Sequence, residues 1–333
     1  MPTIRDVAKH AGVAPITVSR VINNANYVSQ EIRERVQKSI AELNYVPNAL
    51  GPSLRSKKTQ ILALILSDIT NPFWTTVARG VEDACSANGY YVVLCNTDEA
   101  ESKQAQYVSV MLRKQVDGFL LVPVQHSTEM IRKIQQQEIP VIVLDRTVSG
   151  VDVDIVRCDS GKGAYQVTNH LLEQGHRNIA ILSGPPEIST AVDRVEGYRR
   201  AMADAGVTVN EANIIWGNYG HDAGYEDTKR ILQMVPRPTA LVAGNNFIAI
   251  GAMHALGEGN IHVPQDMALV SFDEFPLGLM VEPFFTSVIQ PAYQMGYQAT
   301  ELLLSRISGN AAQPYQEIVL PVEVVIRRSS LQR

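Results

Sequence analysis

TIRDVAKHAGVAPITVSRVINN, residues 3–24, holds two helices and the turn that joins them. Thr3 is an N-cap with Asp6 at the capping-box position, and Ile4, Val7, Ala8 and Ala11 recur at the spacing of one apolar helix face. Gly12 allows a tight turn. Pro15, with its preset φ, suits the first position of a second helix that buries Val18, Val21 and Ile22. Ser29 then caps a third helix, with Glu31 in its first turn and a stripe of Ile32, Val36, Ile40 and Leu43 that closes over the other two. Residues 1–46 thus make one small core. On the second helix Ile16, Thr17 and Arg20 point away from the buried face. An exposed aliphatic side chain beside an exposed arginine suits the major groove of DNA, where a guanidinium donates two hydrogen bonds to guanine and a methyl group touches thymine. For this pattern alone, a protein-docking module with a solvated arginine is the alternative.

Charge divides the chain at the same place. Residues 1–60 carry nine Lys and Arg against four Asp and Glu, a net +5, so the overall −5 leaves −10 on the remainder. A basic head of this kind meets a polyanion, and the acidic body does something else. Between them, YVPNALGPSLRSKKT (residues 45–59) has two prolines, a glycine, two serines and three cations, the composition of an exposed linker.

From Gln60 onward apolar β-rich runs alternate with helix-length amphipathic stretches. The runs are Ile61–Leu66, Tyr91–Leu94, Phe119–Val122, Val141–Leu144, Ile179–Leu182, Ala240–Val242 and Ala268–Phe272, with a last strand near Ile318–Ile326. Repeated βα units give a parallel sheet covered by helices on both faces. These are too many strands for one open sheet, and Ile155–Gly161 falls midway, so two doubly wound lobes in tandem are expected.

At 333 residues the chain is about twice a typical domain of roughly 150. No apolar run approaches the roughly 18 residues that span a bilayer, and the N-terminus has no signal-peptide pattern, so a cytoplasmic location without membrane contact is expected. Cys85, Cys95 and Cys158 sit in no CxxC or zinc spacing, and His126, His176 and His221 are scattered, so neither a disulfide framework, a metal nor a cofactor is expected. His176, after Gly175, suits a helix C-terminus that favours a cation.

The segment 3–24, followed by VSQEIRERVQKSIAELNYVPNAL (residues 28–50), resembles the helix-turn-helix and hinge entry of the LacI/GalR family of bacterial transcription regulators. The likeness continues through DITNPFW near Asn71, KQVDGFLLVP near Asp117, LLEQGHRNIAILSGP near His176, RVEGYRRAM from Arg194 and VPQDMALVSFD ending at Asp273. It implies an α/β protein: an N-terminal three-helix helix-turn-helix head plus a periplasmic-binding-protein-like body of two Rossmann-like parallel-sheet lobes, acting as a homodimer on operator DNA. The expected domains are 1–46 for DNA, 47–59 for the hinge, and 60–333 for effector binding and dimerisation. Lobe one covers about 60–160 and 291–320, and lobe two about 161–290 and 321–333. The DNA-contacting set implied is Thr3, Pro15, Ile16, Thr17, Ser19, Arg20, Asn23, Tyr45, Leu54, Arg55, Lys57 and Lys58. Two departures stand out. Ala14-Pro15 replaces the usual serine cap of the recognition helix. The hinge reads Gly51-Pro52-Ser53-Leu54 where the family has ARSL, so any hinge helix is expected to begin at or after Pro52.

A cleft between two such lobes binds small ligands at the carboxyl ends of the strands. Asn71, Phe73 and Trp74 follow the first strand and Asp145 and Arg146 the fourth. Arg194, Tyr219, Asn245, Asp273 and Gln290 occupy comparable places in the second half. Aromatic faces stack on the C–H face of a sugar, and Asp, Asn, Gln and Arg bond its hydroxyls. This set resembles the one used by ribose-type periplasmic binding proteins, so the expected effector is a monosaccharide, a pentose such as ribose first. The purine-responsive branch has an arginine where Ile188 stands here, which disfavours a purine.

An enzyme reading lacks its motif: GxGxxG after Ile61–Leu66, GxxxxGK[ST], GxSxG and HExxH are all missing. A transport-type binding protein would not carry the basic head. A catabolite-type regulator controlled by a phosphorylated partner protein is the competing reading, and the polar cleft set argues against it.

Overall fold

A computed structural model describes residues 2–25, 27–46, 58–274, 283–310 and 314–331. The chain divides into two compact units, Met1–Thr59 and Gln60–Arg333.

The described part of the first unit contains α1 (Ile4–Ala11), α2 (Pro15–Ile22) and α3 (Gln30–Glu42). Thr3 and Asp6 close a capping box, with Thr3 N donating to Asp6 Oδ2 at 2.7 Å. Gly12 ends α1 at φ 63°, in the left-handed region where a Cβ is strained. α2 starts on Pro15 with Ala14 at its N-cap and no side-chain cap. Ser29 Oγ caps α3 by accepting from Ile32 N. Val7, Ala8, Ala11, Val18, Val21 and Val36 are buried together, and Ile22, Ile32, Ile40 and Leu43 pack around them half-buried.

The second unit is built on two six-stranded sheets. Its elements begin with β1 (Ile61–Leu66), α4 (Pro72–Ala87), β2 (Tyr91–Asn96), α5 (Glu101–Arg113), β3 (Gly118–Leu121), α6 (Thr128–Gln135), β4 (Val141–Leu144) and β5 (Asp154–Cys158). There follow α7 (Ser160–Glu173), β6 (Ile179–Ser183), α8 (Ser189–Asp204), β7 (Ile214–Trp216), α9 (His221–Leu232), β8 (Ala240–Ala243) and α10 (Asn246–Glu258). β9 (Ala268–Phe272), β10 (Thr286–Ile289), α11 (Ala292–Ile307), β11 (Glu317–Leu320) and β12 (Glu323–Val325) complete it. The strand orders are β11-β5-β4-β3-β1-β2 and β12-β10-β9-β8-β6-β7. Every pairing is parallel except β10 with β12.

β1 shows why the apolar runs do not alternate. Leu62, Leu64 and Leu66 pack on one face with Val77, Met295 and Leu303, while Ala63 and Ile65 pack on the other with Ile131 and Ile134. Both faces are covered, so every position is apolar. α4 and α11 cross in backbone contact over this sheet, because a Cβ on Gly80 would lie 2.1 Å from the Tyr293 carbonyl oxygen.

The chain passes between the sheets three times. It leaves the first after β5, returns after β10 through α11, and crosses again between β11 and β12. The last crossing corrects the expected single strand Ile318–Ile326: β11 pairs with β5 in one sheet and β12 with β10 in the other. Pro321 stands between them with no N–H to donate to a ladder. β5 takes up most of Ile155–Gly161, expected only as a boundary. β7 and β10 lie outside the expected series. β10 has a physical reason to escape notice, since Thr286 and Ser287 are buried polar residues whose hydroxyls are satisfied within the fold, Thr286 by the distant Ser330 and Ser287 by Phe285 O.

His176 also differs from expectation. It is buried, its Nδ1 lies 2.9 Å from Thr239 Oγ1, and burial lowers its pKa, so it is a neutral side chain of the interior. Cys85, Cys95 and Cys158 are free and buried. Among the described residues no helix is long and apolar enough to cross a membrane.

Candidate effector cavity and DNA-facing helix

All ten residues expected to meet an effector line one cavity of about 410 Å3 in the second unit. Its floor is made where strands end. Asp145 directly follows β4 and Asp273 directly follows β9, and both adopt left-handed backbone, φ 65° and 64°. Each amide still bonds to the next strand: Asp145 N to Val156 O at 2.9 Å and Asp273 N to Val288 O at 3.0 Å. The strand is thus held to its last residue and the chain then turns, which fixes a carboxylate at the carboxyl end of an interior strand in each lobe. Aspartate tolerates this conformation better than β-branched residues do.

Arg194, on α8, lies between them. Its guanidinium carbon sits 4.3 Å from the Phe272 ring centroid, and Nη1 donates to Gly244 O at 2.6 Å. Burial pushes the Asp273 carboxyl up to about 6, against the charge of Arg194 and a 2.7 Å hydrogen bond from Gln290 Nε2 to its Oδ1. Asp145 is also raised by burial, with Arg194 and Arg146 opposing. Arg146 is not available as a fork for ligand. Its Nη1 donates to Glu99 Oε2 and to Pro123 O, each at 2.7 Å, and its Nη2 bonds Glu99 Oε1.

The walls are aromatic. Phe73 and Trp74 meet edge to face with centroids 4.8 Å apart, and Tyr219 and Phe247 add two more rings. Asn71 caps α4 by accepting from Phe73 N at 3.0 Å. It also exchanges two hydrogen bonds with Asn246 of the second lobe, Nδ2 to Oδ1 at 3.0 Å and the reverse at 3.1 Å. Asn245 is a helix cap too: its Oδ1 accepts from Ile248 N and its Nδ2 donates to Tyr219 O. Asn71 and Asn245 therefore shape the cavity as well as face it.

Four buried polar atoms of lining residues have no hydrogen-bond partner among the described residues: Asp145 Oδ1, Gln290 Oε1, Arg146 Nε and Arg194 Nε. Two accept and two donate. Buried polar groups without partners are rare, and a cluster of them in one cavity is a demand for a polar occupant. Ser67, Asp68, Asp98, Glu99, Pro185, Asn218, Gly220 and Phe247 also line the cavity and lie outside the expected set. Asp98 and Glu99 sit on a tight turn after β2 with φ of 50° and 58°, which apolar patterning does not reveal.

On the head, Ile16 is 51% exposed, Pro15 and Arg20 are exposed, and Thr17 and Ser19 are half-buried. Thr3 Oγ1 is engaged with Asp6 at 2.8 Å, Asn23 Nδ2 donates to Ser19 O at 2.8 Å, and Tyr45 packs against the core. These three therefore have structural work in the unbound head. Lys58 is exposed. Leu54, Arg55, Lys57 and the Gly51-Pro52 step lie outside the described residues.

The model for bacterial regulatory proteins of the lacI family matches residues 3–48. That for periplasmic binding proteins and the sugar binding domain of the LacI family matches residues 59–326. The ribose operon repressor of Halalkalibacterium halodurans is 38% identical over 99% of this chain and 97% of its own length. The transcriptional repressor PurR of Vibrio atlanticus is 37% identical over 92% of each protein. The lac repressor dimer bound to operator and an anti-inducer superposes with a TM-score of 0.87 at 25% identity, covering 99% of both chains. The head, the two-sheet body and these matches agree, and the chain belongs to the LacI family of bacterial regulatory proteins, which are transcription regulators and not enzymes.

Proposed function

We propose that this protein is a repressor whose grip on an operator is set by a neutral monosaccharide, with a pentose such as ribose as the first candidate, held between the two lobes. The observation that carries the reading is the set of four unpartnered buried atoms on the cavity lining, two acceptors and two donors. A sugar hydroxyl donates and accepts at once, so vicinal hydroxyls satisfy both kinds together. The rings of Phe73, Trp74 and Tyr219 suit its C–H face. An anionic ligand fits less well, because Arg146 is committed to Glu99 while Asp68, Asp98, Asp145 and Asp273 line the same cavity. Identity alone does not choose between sugar and purine, since the two named relatives differ by one percentage point. Where the purine-responsive branch has an arginine, this chain has Ile188 at the N-cap of α8, which disfavours a purine.

In this reading residues 1–46 bind DNA, 47–59 form the hinge, and 60–333 bind effector and pair two copies, so that two heads reach half-sites of a pseudopalindrome. Closure on ligand changes the spacing of the heads. The protein works on chromosomal DNA in the cytoplasm. Calorimetric titration of the full chain with pentoses and hexoses tests the effector. Heat and thermal stabilisation with ribose or another simple sugar support it; silence with every sugar, together with binding of a nucleobase, overturns it.

A further inference from the structure

Tyr27 is 74% exposed and is not among the residues that build the small core of the head. Its ring instead lies under Arg20 of α2, with the guanidinium carbon 5.1 Å from the centroid. The loop between α2 and α3 is tethered nearby. Asn24 takes a left-handed conformation at φ 52°, and Arg33 of α3 donates from Nη1 to Asn24 Oδ1 and from Nη2 to Ala25 O, each at 3.0 Å. An aromatic ring is thus presented to the arginine by a loop that α3 holds down.

We propose that Tyr27 is a positioning residue for base reading: its ring restrains Arg20 so that the guanidinium is already aligned when the helix meets a guanine. The inference rests on Arg20 being the base-contacting residue of α2. An arginine side chain carries large rotamer entropy, and a free, solvated one must lose it on binding. Stacking uses the flat face of the guanidinium, whereas two hydrogen bonds to guanine use its N–H edge, so the two contacts are compatible. An exposed cation–π contact corresponds to about a two- to fivefold effect.

The test selects preferred duplexes for the full-length protein from a randomised pool. It then measures binding of Tyr27→Ala, Tyr27→Leu, Tyr27→Phe and Arg20→Ala to the selected site and to single base-pair variants of it, at several salt concentrations. The expected pattern has three parts. Arg20→Ala removes discrimination at one base pair per half-site. Tyr27→Ala and Tyr27→Leu weaken discrimination at that same base pair by about two- to fivefold with the salt slope unchanged, and Tyr27→Phe behaves as the parent does. If the alanine and leucine variants discriminate as well as the parent there, or weaken binding to all duplexes alike, the positioning role is overturned. If Arg20→Ala leaves every base preference intact, the assignment of Arg20 fails and this proposal falls with it. The leucine variant keeps apolar bulk without a π face, so a folding defect in the alanine variant does not blunt the result.

Discussion

Asp273→Asn should make the unliganded protein more stable while removing its response to sugar. The carboxyl is 6% exposed and pushed from an ordinary 3.8 up to about 6, chiefly by burial. Its sign follows from proton binding. The folded state holds the proton more tightly than the unfolded state, so stability falls as pH rises from about 4 to about 6, and above that the full cost of a buried charge stands. A shift of about two pKa units corresponds to about 3 kcal/mol at pH 7.5 and roughly half of that at pH 5. Asparagine has the same shape, and its Oδ1 still accepts from Gln290 Nε2. Loss of the charge facing Arg194 offsets part of the gain, leaving about 1–2 kcal/mol, or a few degrees in the unfolding of the second unit. Differential scanning calorimetry of both proteins at pH 5 and pH 7.5 reads this directly. Saturating sugar should then raise the parent's transition and leave the variant's unmoved, since a ligand stabilises only the state that binds it. A variant that is less stable at pH 7.5, or equally stabilised at both pH values, would refute the argument that a desolvated carboxylate is held ready for ligand.

Arg20→Ala should cost about 1–3 kcal/mol of operator affinity at one base pair per half-site, while Lys58→Ala should weaken all DNA alike and flatten the salt slope, both read by fluorescence anisotropy. Asn246→Asp removes one of the two hydrogen bonds with Asn71 and sets a carboxylate against its carbonyl, so the urea midpoint should fall by an amount equivalent to about 1–3 kcal/mol; an unchanged midpoint would mean that the pair contributes nothing. Glu99→Gln releases the Arg146 fork, and affinity for a sugar phosphate should rise at least about tenfold in calorimetric titration, with no rise counting against charge as the selector. Replacing Gly51-Pro52 by Ala-Arg should tighten operator binding through helix propensity and one added phosphate contact; equal or weaker affinity in a gel-shift titration would contradict the expected start of the hinge helix.

Where the chemistry is local, the sequence is legible. Thr3 with Asp6, Gly12, Pro15 and Ser29 mark the helix ends of the head by interactions within a few residues, and the structure places each as its type requires. Runs such as Ile61–Leu66 announce buried strands because both faces need apolar side chains. Most of the ten cavity residues are legible for a related reason, since they follow strand ends, where parallel sheets collect their loops; Arg194, inside α8, is carried instead by the family resemblance. What stayed hidden depends on distance or on compensation. Nothing local ties Asn71 to Asn246, 175 positions away. Glu99 looks like a solvated acid until Arg146 is seen to bind it, and β10 is masked by hydroxyls that the fold satisfies. His176 has the right neighbour for a helix-end cation, yet tertiary burial decides its protonation instead.

The three crossings between the sheets bear on the order in which the protein is made. The head's three helices end at Glu42, and among the described residues the contacts of its core reach no further than Tyr45. Neither sheet of the second unit has its full set of strands until Glu317–Val325 has left the ribosome, because that one stretch supplies an outer strand to both. At bacterial rates of about 5–20 residues per second, the interval from the end of α3 to β12 is roughly 15 to 60 seconds. During it each nascent ribosomal complex carries a finished DNA-reading module and an effector module with open edges. A frameshift or stop codon anywhere between residues 60 and 317 freezes that condition permanently, and its product keeps the segment that occupies DNA while losing the part that listens for ligand.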